Sequence, residues 1–252
     1  MYNINTQISV NPPAHSQRNE GQNVVLNWLP SDSQERFIEN CKDKNKKKYF
    51  DQMGWSQPAC FTYRLNSNGF RTEEISENTQ SIVGLGCSHT TGVGIPEEST
   101  WIAQLGKFLQ MPYYNLGSVS ASLDTVFRIA CYYLDIIKPH CVVLLCPNES
   151  RFEVNTSTDY NDVYIPQMNF NGDAQKETVA KSWWSNDENS KYNSIKNVCA
   201  IRHICQQRGI KIYVYNTDEL KTVDLARDYL HHGPVAHANF AKKVFKHIRS
   251  GI

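Results

Sequence analysis

The sequence predicts an α/β protein: a three-layer α/β/α sandwich around a mainly parallel sheet, preceded by an irregular N-terminal extension. Two observations carry this. Short apolar runs at residues 81–86, 113–116, 141–146 and 210–215 read as strands. Between them lie stretches of helical apolar spacing, and strands separated by helices of that length imply a parallel sheet covered on both faces. The 252 residues are enough to bury one such core.

Residues 81–86 form the first strand, which stops at Gly86 with a serine two residues on. Residues 100–110 form a helix carrying Trp101, Leu105 and Phe108-Leu109, and residues 113–116 form a strand ending at Gly117. Residues 124–138 place Val126, Ala130, Tyr133 and Ile137 at helical spacing before Pro139 stops them. Residues 141–146 are apolar throughout, as in a buried strand. Residues 194–207 set Ile195, Val198, Ile201 and Cys205 on one helical face, capped by Gly209. Residues 210–215 alternate as a strand, and Pro234 opens a last helix to about residue 249.

Residues 1 to about 75 read differently. They are rich in Asn, Gln, Ser and Lys, with Pro12-Pro13, a lysine run from Lys42 to Lys48, and sparse anchors such as Trp28, Phe37, Phe50, Trp55 and Phe61. One helix over about 31–51, lying against the main domain, is expected, with the lysines as a solvated face. The main domain spans 76–252. Its long insertion, about 149–192, shows no clean period and holds Tyr160, Tyr164, Phe170 and Trp183-Trp184 among polar residues.

Composition narrows the function. With 26 basic against 25 acidic side chains the formal net charge is +1, so no global field draws the chain to nucleic acid or a membrane surface. The run at 141–146 is too short to span a bilayer. Residues 1–7 lack the basic start and apolar core of a secretory signal. Five of the eight cysteines (131, 141, 146, 199 and 205) lie in apolar-patterned segments, and no Cys-x-x-Cys pair occurs. Reduced thiols are therefore expected. His231, His232 and His237 lack a partner at ligand spacing, so no metal is expected.

The chemistry concentrates at two places. Ser88 follows a strand end, where open α/β sheets bind ligands, and Asp228-Tyr-Leu-His231 sets a carboxylate three residues before a histidine. A serine, a histidine and an acid are the parts needed for acyl transfer. Gly86-Cys87-Ser88, followed by His89-Thr-Thr-Gly92, resembles the first block of the SGNH (GDSL-type) hydrolase superfamily. Asn115-Leu-Gly117 resembles its glycine block, Pro147-Asn148-Glu149 its third block, and Asp228-Tyr-Leu-His231 its Asp-x-x-His block. The blocks stand in the family's order over residues 81–252. They imply its flavodoxin-like sandwich, and the chain's general style is similar to stand-alone members from phages and environmental bacteria, so a cytoplasmic or virion-associated location is expected.

The resemblance implies Ser88 as nucleophile, His231 as general base and Asp228 as the acid that orients it. It implies an oxyanion hole built from the backbone N–H groups of Ser88 and Gly117 and the side-chain amide of Asn148. His89, Trp183 and Trp184 are candidate substrate contacts, with packing the plainer role for the tryptophans. Cys87 stands where the family has aspartate and Cys146 where it has glycine. Cys87 is also a rival nucleophile. The expected function is a cofactor-free serine esterase for a short-chain ester. An acylated carbohydrate is preferred, because the insertion is polar and no apolar lid is evident. The alternative, of a different class, is a binding or structural module that keeps the fold without turnover, its N-terminal extension docking a protein partner.

Overall fold

A computed structural model describes residues 23–57, 60–155, 161–166 and 168–251. Pro12-Pro13 and Tyr160 lie outside the described residues. The N-terminal segment contributes β1 (Val25–Leu26), α1 (Gln34–Lys42), α2 (Lys44–Gln52) and β2 (Tyr63–Arg64), with β1 and β2 antiparallel. Two helices replace the single one expected over 31–51. Asp43 has an extended backbone that ends α1, and its carboxylate accepts from the N–H groups of Asn45 and Lys46, which starts α2. An aspartate favours such a cap over a helix interior.

The main domain runs β3 (Ile82–Gly86), the single turn α3 (Ser88–Thr91), α4 (Trp101–Leu109), β4 (Tyr113–Gly117), α5 (Leu123–Ile137) and β5 (Cys141–Cys146). It continues through β6 (Phe152–Asn155), β7 (Asn161–Tyr164), α6 (Ala174–Trp184) and α7 (Asp187–Gln207) to β8 (Lys211–Asn216) and α8 (Pro234–Ser250). Four strands make one parallel sheet in the order β4-β3-β5-β8. The chain leaves β3 in one direction to reach β4, then crosses back to β5. Doubly wound sheets bind ligands beyond the carboxyl ends of their strands where the order reverses, here between β3 and β5.

Alternation along the strands feeds two cores. Val83, Leu85, Val142 and Leu144 pack with Val126, Ile129 and Tyr133 of α5 and Ile201 and Cys205 of α7. Ile82, Val143 and Leu145 pack with Trp101, Ile102 and Leu105 of α4 and Phe240 and Val244 of α8. Each fully buried side chain of this kind contributes about 1.5–3 kcal/mol.

The described part of the insertion holds regular structure that its sequence pattern does not announce. β6 and β7 pair antiparallel, α6 follows, and α7 begins at Asp187 rather than at 194. The early turns of α7 show no apolar period because their inward residues are polar. Asn193 and Asn197 donate to the Asp124 carboxylate at 2.9 and 2.7 Å. Among the described residues no helix is long and apolar enough to cross a membrane, and all eight cysteines are free thiols.

Candidate active site

β3 delivers the serine through a turn that only glycine permits. Gly86 has φ 156°, and a Cβ there would lie 2.3 Å from Thr90 Oγ1 and 2.6 Å from the Leu145 carbonyl oxygen. Cys87 is extended, and its carbonyl accepts the N–H groups of Thr90 and Thr91, so α3 starts at Ser88. The N–H groups of a helix's first residues have no intrahelical acceptor, which leaves that of Ser88 available.

Asp228 and His231 come from the loop before α8. The Asp228 Oδ1 atom accepts the N–H groups of Leu230 and His231, both at 3.0 Å. Its Oδ2 lies 2.5 Å from His231 Nδ1, and His231 Nε2 lies 2.8 Å from Ser88 Oγ. Burial alone would raise the Asp228 carboxyl. The hydrogen bonds from the His231 ring and the two N–H groups outweigh it and hold the carboxyl below its usual range. Asp228 is thus ionised and can only accept, so the Nδ1 of His231 donates to it, and Nε2 faces the Ser88 hydroxyl.

His89 stands beside this relay. Its ring centroid is 5.0 Å from that of His231 and 4.8 Å from that of His232, and its Nδ1 is 3.1 Å from Nδ1 of His232. Burial and then the neighbouring imidazoles hold His89 well below the ordinary histidine value, and burial with His231 also lowers His232. Both are neutral near pH 7, one donating to the other. Among the described residues no three His, Cys, Asp or Glu side chains are placed to hold a metal ion.

Other expected residues fall differently. The N–H of Gly117 donates to the Asn115 side-chain oxygen at 3.1 Å, so it is not free for a substrate. Glycine is required there for another reason: a Cβ would lie 2.3 Å from the Thr91 nitrogen, inside α3. Asn115 itself, buried, donates to the Thr90 carbonyl at 2.9 Å and so staples α3 to β4. Asn148 is exposed beyond β5. Its side-chain oxygen accepts from the Ser150 N–H at 2.9 Å and the Ser150 hydroxyl at 2.6 Å, which directs its NH2 the other way.

Cys87 is buried in the core with Val83 and Leu85, away from the relay, and cannot serve as the rival nucleophile. Trp183 and Trp184 are packing residues. Trp183 stacks on Phe152 (4.4 Å, 17°), and Trp184 meets it edge-on while its Nε1 donates to the Ser150 carbonyl at 2.8 Å. Sequence reasoning missed Arg227, whose only signal was its place next to Asp228, and the part played by Arg71. Both are buried arginines whose partners are far away in sequence.

The fold and site define a class: a doubly wound α/β protein with a Ser-His-Asp relay at the carboxyl edge of its sheet. No family model matches the sequence, and no curated protein does. Among solved structures the chain is similar to a member of the lipolytic protein G-D-S-L family from Veillonella parvula DSM 2008. They share 14% identity over 66% of this chain and 98% of that one, with a TM-score of 0.35. A psychrotrophic esterase from Pseudoalteromonas sp. shares 14% identity over 68% of this chain and 97% of its own, with a TM-score of 0.39. An acetyl xylan esterase from the rumen bacterium Butyrivibrio proteoclasticus shares 11% over 71% of this chain and 65% of its own, with a TM-score of 0.40. These likenesses concern the fold alone.

Proposed function

We propose that the protein is a serine esterase of the SGNH (GDSL) type. The observation that carries this reading is the unbroken hydrogen-bonded relay from Ser88 through His231 to the ionised Asp228. Ser88 Oγ attacks the ester carbonyl while His231 Nε2 takes its proton, and Asp228 stabilises the resulting imidazolium. His231 then protonates the departing alkoxide. In the second half His231 draws a proton from water, which attacks the acyl-enzyme and frees the carboxylic acid and Ser88.

The oxyanion of each tetrahedral intermediate is met by the Ser88 N–H and the Asn148 amide. With the Gly117 donor committed to Asn115, the remaining donor comes from the turn after β4. There the N–H groups of Val119 and Ser120 are engaged by no other described residue, and Ser120 has φ 63°. This turn sits against the nucleophile turn, because the Ser118 N–H donates to the Gly86 carbonyl at 3.1 Å.

Short acyl groups fit the reading best. The tryptophans expected to stack on a sugar are consumed by the insertion's own packing, so a carbohydrate acceptor is one arm of the assay rather than its premise. Cys87 and Cys146, the two departures from the family blocks, are both buried and give the non-catalytic alternative no support. The test is a fluorophosphonate probe: stoichiometric labelling at Ser88, abolished by His231→Ala, is expected. An unlabelled, folded protein would overturn the reading. Aryl acetate, aryl octanoate and acetylated xylose then define the substrate, with acetate preferred to octanoate.

A further inference from the structure

We infer that residues 24–57 and 60–71 act as a clamp that sets the Ser88–His231 geometry. Asp32, Tyr49 and Tyr63 position the loop that carries Asp228 and His231, and Arg71 positions the helix that carries Ser88. This rests on the esterase reading above.

The loop from 217 to 233 has little regular structure and contains a strained residue between the acid and the base. Tyr229 has φ 58°, in the left-handed region that a bulky side chain avoids, at a cost on the order of 1–2 kcal/mol. Its ring is held by the N-terminal segment: Tyr49 and Phe50 pack on it edge-on at 6.0 and 6.2 Å, and Lys46 Nζ lies 4.6 Å from its centroid. The Tyr49 hydroxyl also bonds both backbone groups of Leu225, accepting from the N–H at 3.0 Å and donating to the carbonyl at 2.5 Å.

Arg227, the neighbour of Asp228, is fully buried and points into the segment. It pairs with Asp32 through Nε at 3.0 Å and Nη2 at 2.7 Å, and its guanidinium lies between the rings of Trp28 and Phe61 at 4.2 and 4.0 Å. The Tyr63 hydroxyl donates to Asp32 and accepts the Gly94 N–H, while the Gly94 carbonyl accepts the Arg227 N–H at 2.8 Å. Gly94 lies just beyond α3, so one ring of bonds joins the nucleophile side to the acid side through Asp32 and Tyr63. On the other flank Arg71, also buried, donates to the carbonyls of Gly92 and Ile95 at 2.8 and 3.0 Å, where α3 ends. Asp32, Tyr49, Tyr63 and Arg71 thus bond to both halves of the relay.

The test uses Tyr49→Phe and Tyr63→Phe in the full chain, since each removes one hydroxyl and keeps the Asp32–Arg227 pair. Asp32→Asn strands a buried charge and costs folding as well, so the tyrosine variants carry the decision. Fluorophosphonate labelling of Ser88 should slow by about ten- to a hundredfold, the cost of small misplacements at a reacting centre. KM for an aryl acetate should stay within about twofold of wild type, since the misplacement acts on the chemical step. The low-field proton resonance of His231 Nδ1–H, bonded to Asp228, should broaden or move upfield. Val25→Ser, on the exposed face of the same segment, should match wild type. Tyrosine variants that melt lower yet label and resonate like wild type would reduce the segment to a stabilising one. Should wild type itself fail to label, the esterase reading falls, and the His231 resonance alone decides the clamp.

Discussion

The backbone N–H of Trp101 donates to Nδ1 of His237 at 3.0 Å, joining the first residue of α4 to the first turn of α8. The bond needs an unprotonated nitrogen, and the ring is fully enclosed. Burial, reinforced by nearby imidazoles, pushes His237 down to about 3.

This bond makes acid stability a prediction. The folded value lies below the unfolded one, so the unfolded chain binds the extra proton first, and stability falls as pH drops. The contribution is complete above about pH 6.5 and is lost toward pH 3, at up to about 1.4 kcal/mol per pH unit. His237→Asn, whose side-chain oxygen can replace Nδ1 as acceptor, should melt with a shallower pH slope. Equal slopes for the two proteins between pH 7 and 4 would sink the assignment.

Ser88→Ala should fold normally and lose about three or more orders of magnitude in turnover of an aryl acetate. His231→Ala and Asp228→Asn should not add to that loss, because the three act as a unit. Cys87→Ala should remain active, since its thiol faces the core. An inactive Cys87 variant beside an active Ser88 variant would reverse the roles.

Asn148→Ala should lower kcat by about two orders of magnitude with little change in KM, as for a donor that matters in the transition state. Trp184→Phe should lower kcat by a smaller factor, through the bond from its ring nitrogen to Ser150, which anchors Asn148. An effect of Trp184→Phe on KM alone, seen only with acetylated sugars, would make this residue a substrate contact.

Gly117→Ala should destabilise the protein by about 1–3 kcal/mol, as overpacked sites do, and lower kcat by displacing α3. Denaturant unfolding with parallel kinetics would show both. A variant of normal stability with only a lowered kcat would return Gly117 to the oxyanion hole.

The legible parts of the sequence were those governed by local pattern. The apolar runs of β3 and β5 and the helical periods of α4 and α5 state their own burial. Ser88, Asp228 and His231 were visible because a strand end and a three-residue spacing place them. Gly117 was found for the wrong reason: its neighbour across the sheet edge, Thr91, is distant in sequence. The start of α7 was hidden because Asn193 and Asn197 face inward toward Asp124, a polar burial that no apolar period announces. Arg227 and Asp32, 195 residues apart, form a pair that no local pattern could supply.

The insertion between β5 and α7 carries an apolar centre of its own, in which Phe152, Tyr164, Phe170 and Trp183 pack on one another. It is tied to α5 by polar bonds, Glu153 to Arg128 at 2.6 Å and to Thr125 at 2.9 Å. A unit that meets its own packing demands and attaches through a few directional bonds can be exchanged as a block. Its interior can therefore be repacked while Arg128 and Thr125 are kept, without a matching change in the sheet.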